Sequence, residues 1–298
     1  MLKEGPGSPR NSGRRSQASQ HRLVALIRLA TNAWLIASFT LLVYGLAWNY
    51  STHRYLKGFA DAIIPLDGSP EEKAEALLKW FRHEPQRTDS LVEGPASLRD
   101  PVNIVQNARL LKVCGSATNA FINLADVAGV KTRRLLLLDE SGGAKHVVAE
   151  VQWGGRWVVA DPALGLMFRN HLGRILTKED LRDPQVFRDA ISRMPGYNPA
   201  YTFERTAHIH LSRIPFFGNL LQRTLDRLFA GWEETVNWGY LPENPSLWPV
   251  LVSVPLLLFG ILVHLIVDGY GRSRLSIGPF RFRERLVRAG RAFLYRPE

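Results

Sequence analysis

Three residue types that could act together on an acyl group occur in order along one stretch of the chain, residues 113–162. Cys114 is the only cysteine in the sequence, and His146 and Asp161 follow it. A cysteine thiolate can attack a carbonyl carbon, a histidine can hold the thiolate and later protonate the leaving group, and an aspartate can fix the imidazole tautomer. Acyl transfer of this kind requires no cofactor or metal, and we expect none. The three residues must be brought together by the elements that carry them.

Cys114 is predicted to lie in the first turn of a helix. Apolar residues recur on one face of that helix, at Ala117, Phe121, Leu124 and Ala128. Gly129 follows at the position of a left-handed C-terminal cap. At a helix N-terminus the macrodipole and the unpaired backbone N–H groups lower a thiol pKa and can bind an oxyanion. A free cysteine is more often inert packing, but this position favours a nucleophile.

A β-hairpin is predicted to bring His146 close to Asp161. Strand-like runs cover residues 134–138, 145–153 and 156–160, and Gly154-Gly155 forms a two-residue turn between the last two. If Trp153 faces Arg156, then Asp161 faces Val148 and lies diagonally from His146 on one face, with Cβ atoms about 7 Å apart. A register slip of one residue would place the two on opposite faces.

Other residues of the hairpin have expected roles in the sheet. The alternation places Glu150 and Gln152 on the same face of their strand as His146. Trp153 and Trp157 are interpreted as packing residues, because aromatic side chains beside a hairpin usually belong to the core.

The segment from about Gln106 to Met167 resembles the transglutaminase-like superfamily, papain-type cysteine enzymes. The matching pieces are C-x-x-A at Cys114, A-G-V-K-T-R over 128–133, H-x-x-x-E from His146 and W-x-x-x-D-P over 157–162. The resemblance implies an α+β core in which a helix bearing Cys packs on an antiparallel sheet bearing His and Asp. It also implies catalytic roles for Cys114, His146 and Asp161.

The chain departs from the family pattern near the predicted site. Members often have Gly two residues before the Cys and an aromatic residue two after the His, where this chain has Lys112 and Val148. Gln106 is an oxyanion-donor candidate by analogy with papain-like enzymes, although its distance from Cys114 in the sequence does not fit well.

Two charge-free stretches of twenty residues, 29–48 and 248–267, are each long enough to cross a hydrocarbon core of ~30 Å as a helix. The first could instead be a cleaved signal peptide, but its apolar run is too long and no small-x-small cleavage site follows. The second could be a buried core helix, and Pro255 predicts a kink in it. We interpret both as transmembrane helices.

The basic residues are concentrated at the two ends of the chain. Residues 1–28 hold six Lys and Arg against one acidic residue, and residues 268–298 hold eight against three, so the tails carry ten of the eleven net positive charges. The positive-inside rule then places both termini in the cytoplasm and residues 50–246 outside it, which is the periplasm if the cell is Gram-negative. Residues 1–28 are predicted to be disordered. Both tails are expected to contact anionic lipid headgroups, and we expect no nucleic-acid binding.

The remaining patterns predict helices and loops around this core. Ser69 and Glu72 form a capping box before an amphipathic helix, and a loop follows over 83–101. A capped helix is predicted over 177–194, interrupted near Pro184. The amphipathic stretch 217–238 either packs on the domain or contacts a membrane surface or a second copy. His208 and His210 indicate a metal pair only weakly, since no carboxylate cluster is nearby.

The sequence therefore predicts an integral membrane protein with two spans and an extracytoplasmic α+β domain. The expected activity is cysteine-dependent acyl transfer at an amide through a thioester, with water as the acceptor in a peptidase or amidase and an amine in a cross-linking acyltransferase. Peptides, a protein or cell-envelope material are the expected substrates. The alternative is a non-catalytic binding module that assists assembly or secretion of an envelope polymer or partner protein.

Overall fold

The computed structural model describes residues 11–83, 99–209, 218–229, 231–232 and 243–275. The chain divides into two compact units. One comprises the residues up to Leu46 and those from Pro249 onward, and the other is Ala47–Trp248.

Two long helices form the first unit, and both are long and apolar enough to cross a membrane. Helix α1 is Asn11–Asp61, of which the part up to Leu46 belongs here, and α7, the last helix, is Leu247–Leu275. An ion pair joins Arg28 to Asp268 at 2.6 Å, and the Trp34 indole N–H donates to the Leu256 carbonyl at 2.9 Å. The predicted segments 29–48 and 248–267 lie within these two helices.

The prediction of a disordered tail over 1–28 is wrong for residues 11–28, which are helical, whereas residues 1–10 lie outside the described residues. Composition suggested disorder because this stretch has few apolar residues before Leu23. Each residue added to a helix that is already nucleated gains one hydrogen bond, so the helix of the apolar segment can extend backwards into a polar sequence.

The second unit is built on five strands, β1 Thr132–Leu138, β2 Ala144–Trp153, β3 Arg156–Asp161, β4 Leu166–Met167 and β5 Thr206–Ala207. They form one antiparallel sheet in the order β4-β3-β2-β1-β5. The helices are α2 Pro70–His83, α3 Pro101–Val105, α4 Cys114–Val127, α5 Pro184–Ile191 and α6 Gly218–Leu228. The unit is therefore α+β, as the coarse fold prediction stated.

Two hydrophobic clusters form the core of this unit. In one cluster, helix residues that include Leu56, Leu77, Phe121 and Leu124 pack with inward residues of the sheet such as Val151. The other cluster includes Leu135, Val148, Phe168, Phe187 and Phe203. Val148 and Val151 of β2 belong to different clusters, as the alternation of side chains along a strand requires.

The hairpin register predicted from the Gly154-Gly155 turn is confirmed. Both glycines have positive φ, 53° and 78°, which is what a two-residue turn of the primed type requires and what glycine adopts without strain. Pairing runs from Trp153 opposite Arg156 to Ala149 opposite Ala160. Continuing the same register places Asp161 opposite Val148 and diagonal to His146.

The predicted helix starts and ends near the site are also confirmed. The Ser69 N–H donates to the Glu72 carboxylate at 2.7 Å, and the Glu72 N–H donates to the Ser69 hydroxyl at 3.2 Å, which completes the capping box before α2. Helix α4 begins at Cys114, and Gly129 beyond its end has φ of 77°. The local sequence therefore sets both helices as expected.

The structure bounds two further predicted helices more closely. The interruption predicted near Pro184 is confirmed: a short 3-10 turn, Asp180–Arg182, precedes α5, because the ring of Pro184 disfavours helical backbone at Asp183, which instead caps α5. Helix α5 ends at Ile191, three residues before the predicted end. Helix α6 covers only the first part of the amphipathic stretch predicted over 217–238. Its apolar residues Leu220 and Leu228 are 65% and 66% exposed, so this part of the stripe does not pack on the domain. Residues 84–98 of the predicted loop lie outside the described residues.

Candidate active site

Cys114 is the first residue of α4, and its thiol is partly exposed. The N-cap is Val113, whose side chain has no atom that could accept a hydrogen bond from the first-turn amides. The carbonyl of Val113 accepts from the Ala117 N–H at 2.8 Å, so the helix is regular from its start. The sulfur therefore lies beside backbone N–H groups at the positive end of the helix.

His146 and Asp161 form a buried pair joined at 2.7 Å between His146 Nε2 and Asp161 Oδ2. They are 6% and 0% exposed. The other carboxylate oxygen, Oδ1, accepts from the backbone N–H groups of Ala163 at 3.0 Å and Leu164 at 3.3 Å. Since an ionised carboxylate only accepts, Nε2 is the donor, and Nδ1 remains available to Cys114.

The three side chains are coupled electrostatically. The hydrogen bond from His146 lowers the pKa of the Cys114 thiol most; burial opposes it, and the charge of His146 and the backbone N–H groups of Val147 and Gly115 add to the lowering. Burial lowers the pKa of His146, but hydrogen bonds to Asp161 and Cys114 and their charges outweigh it and raise the pKa to about 9. The arrangement stabilises a thiolate–imidazolium pair.

A hydrogen bond connects the first turns of α4 to the strand that carries His146. The Thr118 hydroxyl donates to the Val147 carbonyl at 3.1 Å, and Thr118 is fully buried. Thr118 is four residues after Cys114, so the two side chains lie on the same side of the helix. Because Val147 follows His146 directly, this bond fixes the position of the thiol relative to the imidazole.

Two tyrosines surround the His146 ring. Tyr201 stacks on it with ring centroids 4.2 Å apart and an interplanar angle of 1°, and Tyr197 meets it edge-on at 6.4 Å. The Tyr197 hydroxyl donates to the Tyr201 carbonyl at 3.2 Å, and burial raises the pKa of Tyr197, which stays a neutral phenol. This aromatic enclosure was not predicted, because the segment that carries the two tyrosines has neither helical nor strand periodicity.

A second buried network lies further along the same strands. One oxygen of Glu150 accepts from Arg133 Nε at 2.6 Å and pairs with His208 Nε2 at 2.7 Å. Burial raises the pKa of Glu150, yet His208 and Arg133 outweigh it and lower the pKa. The guanidinium of Arg133 lies 4.3 Å from the centroid of the half-buried Trp157, a cation–π contact in place of the predicted core packing, whereas Trp153 packs against the core as predicted. His208 thus pairs with a carboxylate, and His210 lies outside the described residues.

The other sequence candidates have contacts away from this chemistry. Gln106 donates its amide to the Tyr55 hydroxyl at 2.8 Å, and Val148, where the family often has an aromatic residue, is fully buried in the core. Within the described ranges, no group of three or more His, Cys, Asp and Glu side chains is arranged to hold a metal ion.

No protein-family model matches the chain, and neither the curated proteins nor the solved structures contain a significant match to it.

Proposed function

We propose that this protein is a membrane-anchored, cysteine-dependent enzyme that transfers an acyl group from an amide through a thioester. Cys114 is the nucleophile, His146 is the general acid and base, and Asp161 orients the imidazole. The observation that carries the proposal is the hydrogen bond between His146 Nε2 and Asp161 Oδ2 in a buried pair. His146 also forms a hydrogen bond with Cys114, which is the first residue of a helix.

The reaction follows from the positions of these groups. The Cys114 thiolate attacks the carbonyl carbon of the amide, and the charge that develops on the carbonyl oxygen lies near the first-turn N–H groups of α4. His146 Nδ1 donates its proton to the leaving amine, the C–N bond breaks, and a thioester remains on the sulfur. His146 then removes a proton from water or an acceptor amine, which attacks the thioester and restores the thiolate.

The fold of the second unit supports a papain-like core of the transglutaminase type. A helix that begins with the cysteine packs against an antiparallel sheet whose adjacent strands hold the histidine and the aspartate. The three residues occur in this order along the chain, within the sequence pieces that resemble the superfamily. We therefore assign the catalytic domain to the part of the chain between the two apolar helices, and it requires no cofactor.

Membrane anchoring is supported by the two long apolar helices at either end of the second unit. With both basic tails in the cytoplasm, the catalytic domain lies outside it, and its substrates are peptides, proteins or cell-envelope material. A reporter fused after Glu298 tests this topology: we expect cytoplasmic activity. An extracytoplasmic signal would overturn the predicted topology, because either one of the two helices does not cross the membrane or the orientation is inverted.

The proposed chemistry is tested by alkylating Cys114 in the full-length protein with iodoacetamide from about pH 4 to about pH 9. We expect the rate midpoint to lie well below the ordinary thiol pKa of ~8.5. His146→Ala should return the midpoint to that value. His208→Ala is a matched control, because it also removes a buried histidine paired with a carboxylate, and it should leave the midpoint low. A wild-type midpoint near ~8.5 would favour the non-catalytic binding module.

A further inference from the structure

A guanidinium group from strand β1 lies beside the nucleophile. Arg134 Nη2 is 3.6 Å from the position that a Cβ on Gly115 would occupy, next to Cys114. Its side chain is only 21% exposed, and Nη1 forms an ion pair with the carboxylate of Glu243. A half-buried cation thus approaches the first turn of α4, where His146 approaches the same thiol from β2.

Glu243 is held in place by helix α4 itself. Asn119 Nδ2 donates to Glu243 Oε2 at 2.5 Å and to its carbonyl at 3.0 Å, and Asn123 Nδ2 donates to that carbonyl at 3.3 Å. Glu243 and both asparagines are almost completely buried, at 3%, 0% and 4% exposed. A carboxylate with this many partners is not an incidental surface contact.

The charges around Cys114 can be balanced group by group. Burial lowers the pKa of Arg134 to about 10, the charge of Cys114 raises it, and the charge of Arg99 lowers it. Arg134 is therefore cationic at neutral pH. His146 approaches the thiol from β2, and Arg134 approaches it from β1. Glu243 and Arg99 are the charged groups next to Arg134. The Glu243 carboxylate offsets much of the positive charge that Arg134 brings to the thiolate.

We propose that Arg134 and Glu243 are positioning residues that together set the charge environment of the Cys114 thiolate. Arg134 favours the thiolate, and Glu243 both holds the guanidinium at the helix start and moderates its field. This proposal deepens the proposed function and rests on it, because the charge pair matters for catalysis only if Cys114 is the nucleophile. Glu243 lies four residues before Leu247, where α7 begins, so the segment leading into the second apolar helix becomes a part of the active centre.

Opposite charge effects distinguish this role from simple packing. Removing the cation leaves an uncompensated carboxylate near the sulfur, which disfavours the thiolate. Removing the carboxylate leaves an uncompensated cation, which favours it. If the pair only packed the segment onto α4, both variants would loosen the helix start and move Cys114 in the same direction.

The experiment is the rate of iodoacetamide labelling against pH in the full-length protein in detergent micelles. We expect Arg134→Gln to raise the midpoint by about one pH unit and Glu243→Gln to lower it by a similar amount. The double variant should return close to the wild-type value. Lys131→Gln and Glu140→Gln are matched controls, because they make the same changes of net charge at exposed positions, and they should leave the midpoint unchanged.

Conservative variants keep the test decisive if a single neutral variant does not fold. Arg134→Lys and Glu243→Asp preserve both charges, so they should keep the midpoint near wild type, whereas a packing role predicts shifts in the same direction. The proposal would be overturned if Arg134→Gln and Glu243→Gln, or Arg134→Lys and Glu243→Asp, shifted the labelling midpoint in the same direction. It would also be overturned if the neutral variants folded and left the midpoint unchanged. If the wild-type thiol titrates near ~8.5, the proposed enzyme fails, but opposite shifts about that value still support the charge pair.

Discussion

Replacing Asp161 with Asn removes the charge that supports the imidazolium while keeping the size of the side chain. Its Oδ1 can still accept from the Ala163 and Leu164 N–H groups. The His146 pKa rises from 6.5 to about 9 in the folded protein, and the hydrogen bond to Asp161 is the largest of the contributions that raise it. That rise corresponds to about 3 kcal/mol in favour of the imidazolium. We expect Asp161→Asn to remove about 2 kcal/mol of it, a ~30-fold loss of the thiolate–imidazolium pair.

The first measurement is the pH profile of iodoacetamide labelling at Cys114. In Asp161→Asn the midpoint should move towards the ordinary thiol pKa of ~8.5, because a neutral imidazole no longer stabilises the thiolate. Turnover on any amide substrate should fall at least as much. Asp139→Asn is the matched control, since Asp139 also accepts a backbone N–H, from Gly143 at 2.7 Å, but on a loop away from the site.

The second measurement is the free energy of unfolding as a function of pH. A histidine whose pKa is raised on folding stabilises the protein fully below its unfolded pKa of 6.5, and this contribution is lost as the pH rises through about 9. The pH-dependent difference between wild type and Asp161→Asn should therefore be about 2 kcal/mol near pH 6 and should disappear above about pH 9. A folded Asp161→Asn protein with a wild-type labelling profile would refute the reasoning.

Three further substitutions test the scaffold of the site, each by urea unfolding of the full-length protein. Thr118→Val removes the bond to the Val147 carbonyl and should cost about 1–2 kcal/mol while slowing Cys114 labelling; an unchanged labelling rate would contradict the proposed link between α4 and β2. Gly165→Ala should cost more than about 2 kcal/mol, because its φ is +63° and a Cβ there would lie 2.6 Å from the Leu78 carbonyl oxygen; a near-neutral variant would contradict that packing. Ser69→Ala should lower the free energy of unfolding by about 1 kcal/mol through loss of the capping box and should leave the rate of Cys114 labelling unchanged. A change in the labelling rate as well would show that α2 positions the site.

The local features of the site could be predicted because short-range rules specify them. The turn Gly154-Gly155 requires positive φ at two consecutive residues, and this fixes the register that brings His146 to Asp161. The periodic apolar face and Gly129 specify where α4 runs. In both cases the residues that decide the structure are neighbours in the sequence, so the pattern carries the information.

Features that depend on distant contacts could not be predicted. The bonds from Asn119 to Glu243 join residues 124 positions apart, and nothing in either local sequence identifies the partner. Tyr201 reaches His146 from a segment with neither helical nor strand periodicity. The apolar stripe of α6 shows what a local pattern leaves open. Its periodicity predicted an amphipathic helix, but periodicity does not state what the apolar face will contact.

The sequence by itself determined the three reactive residue types, the helix that begins at Cys114, the hairpin that aligns His146 with Asp161, and two segments long enough to span a membrane. Only the tertiary structure decided which ring nitrogen faces Asp161, which aromatic rings enclose the imidazole, and which buried charges lie beside the thiol. The reason is physical: backbone dihedrals and side-chain periodicity act between neighbours, whereas burial and Coulomb interactions depend on distances in space that the folded chain alone sets.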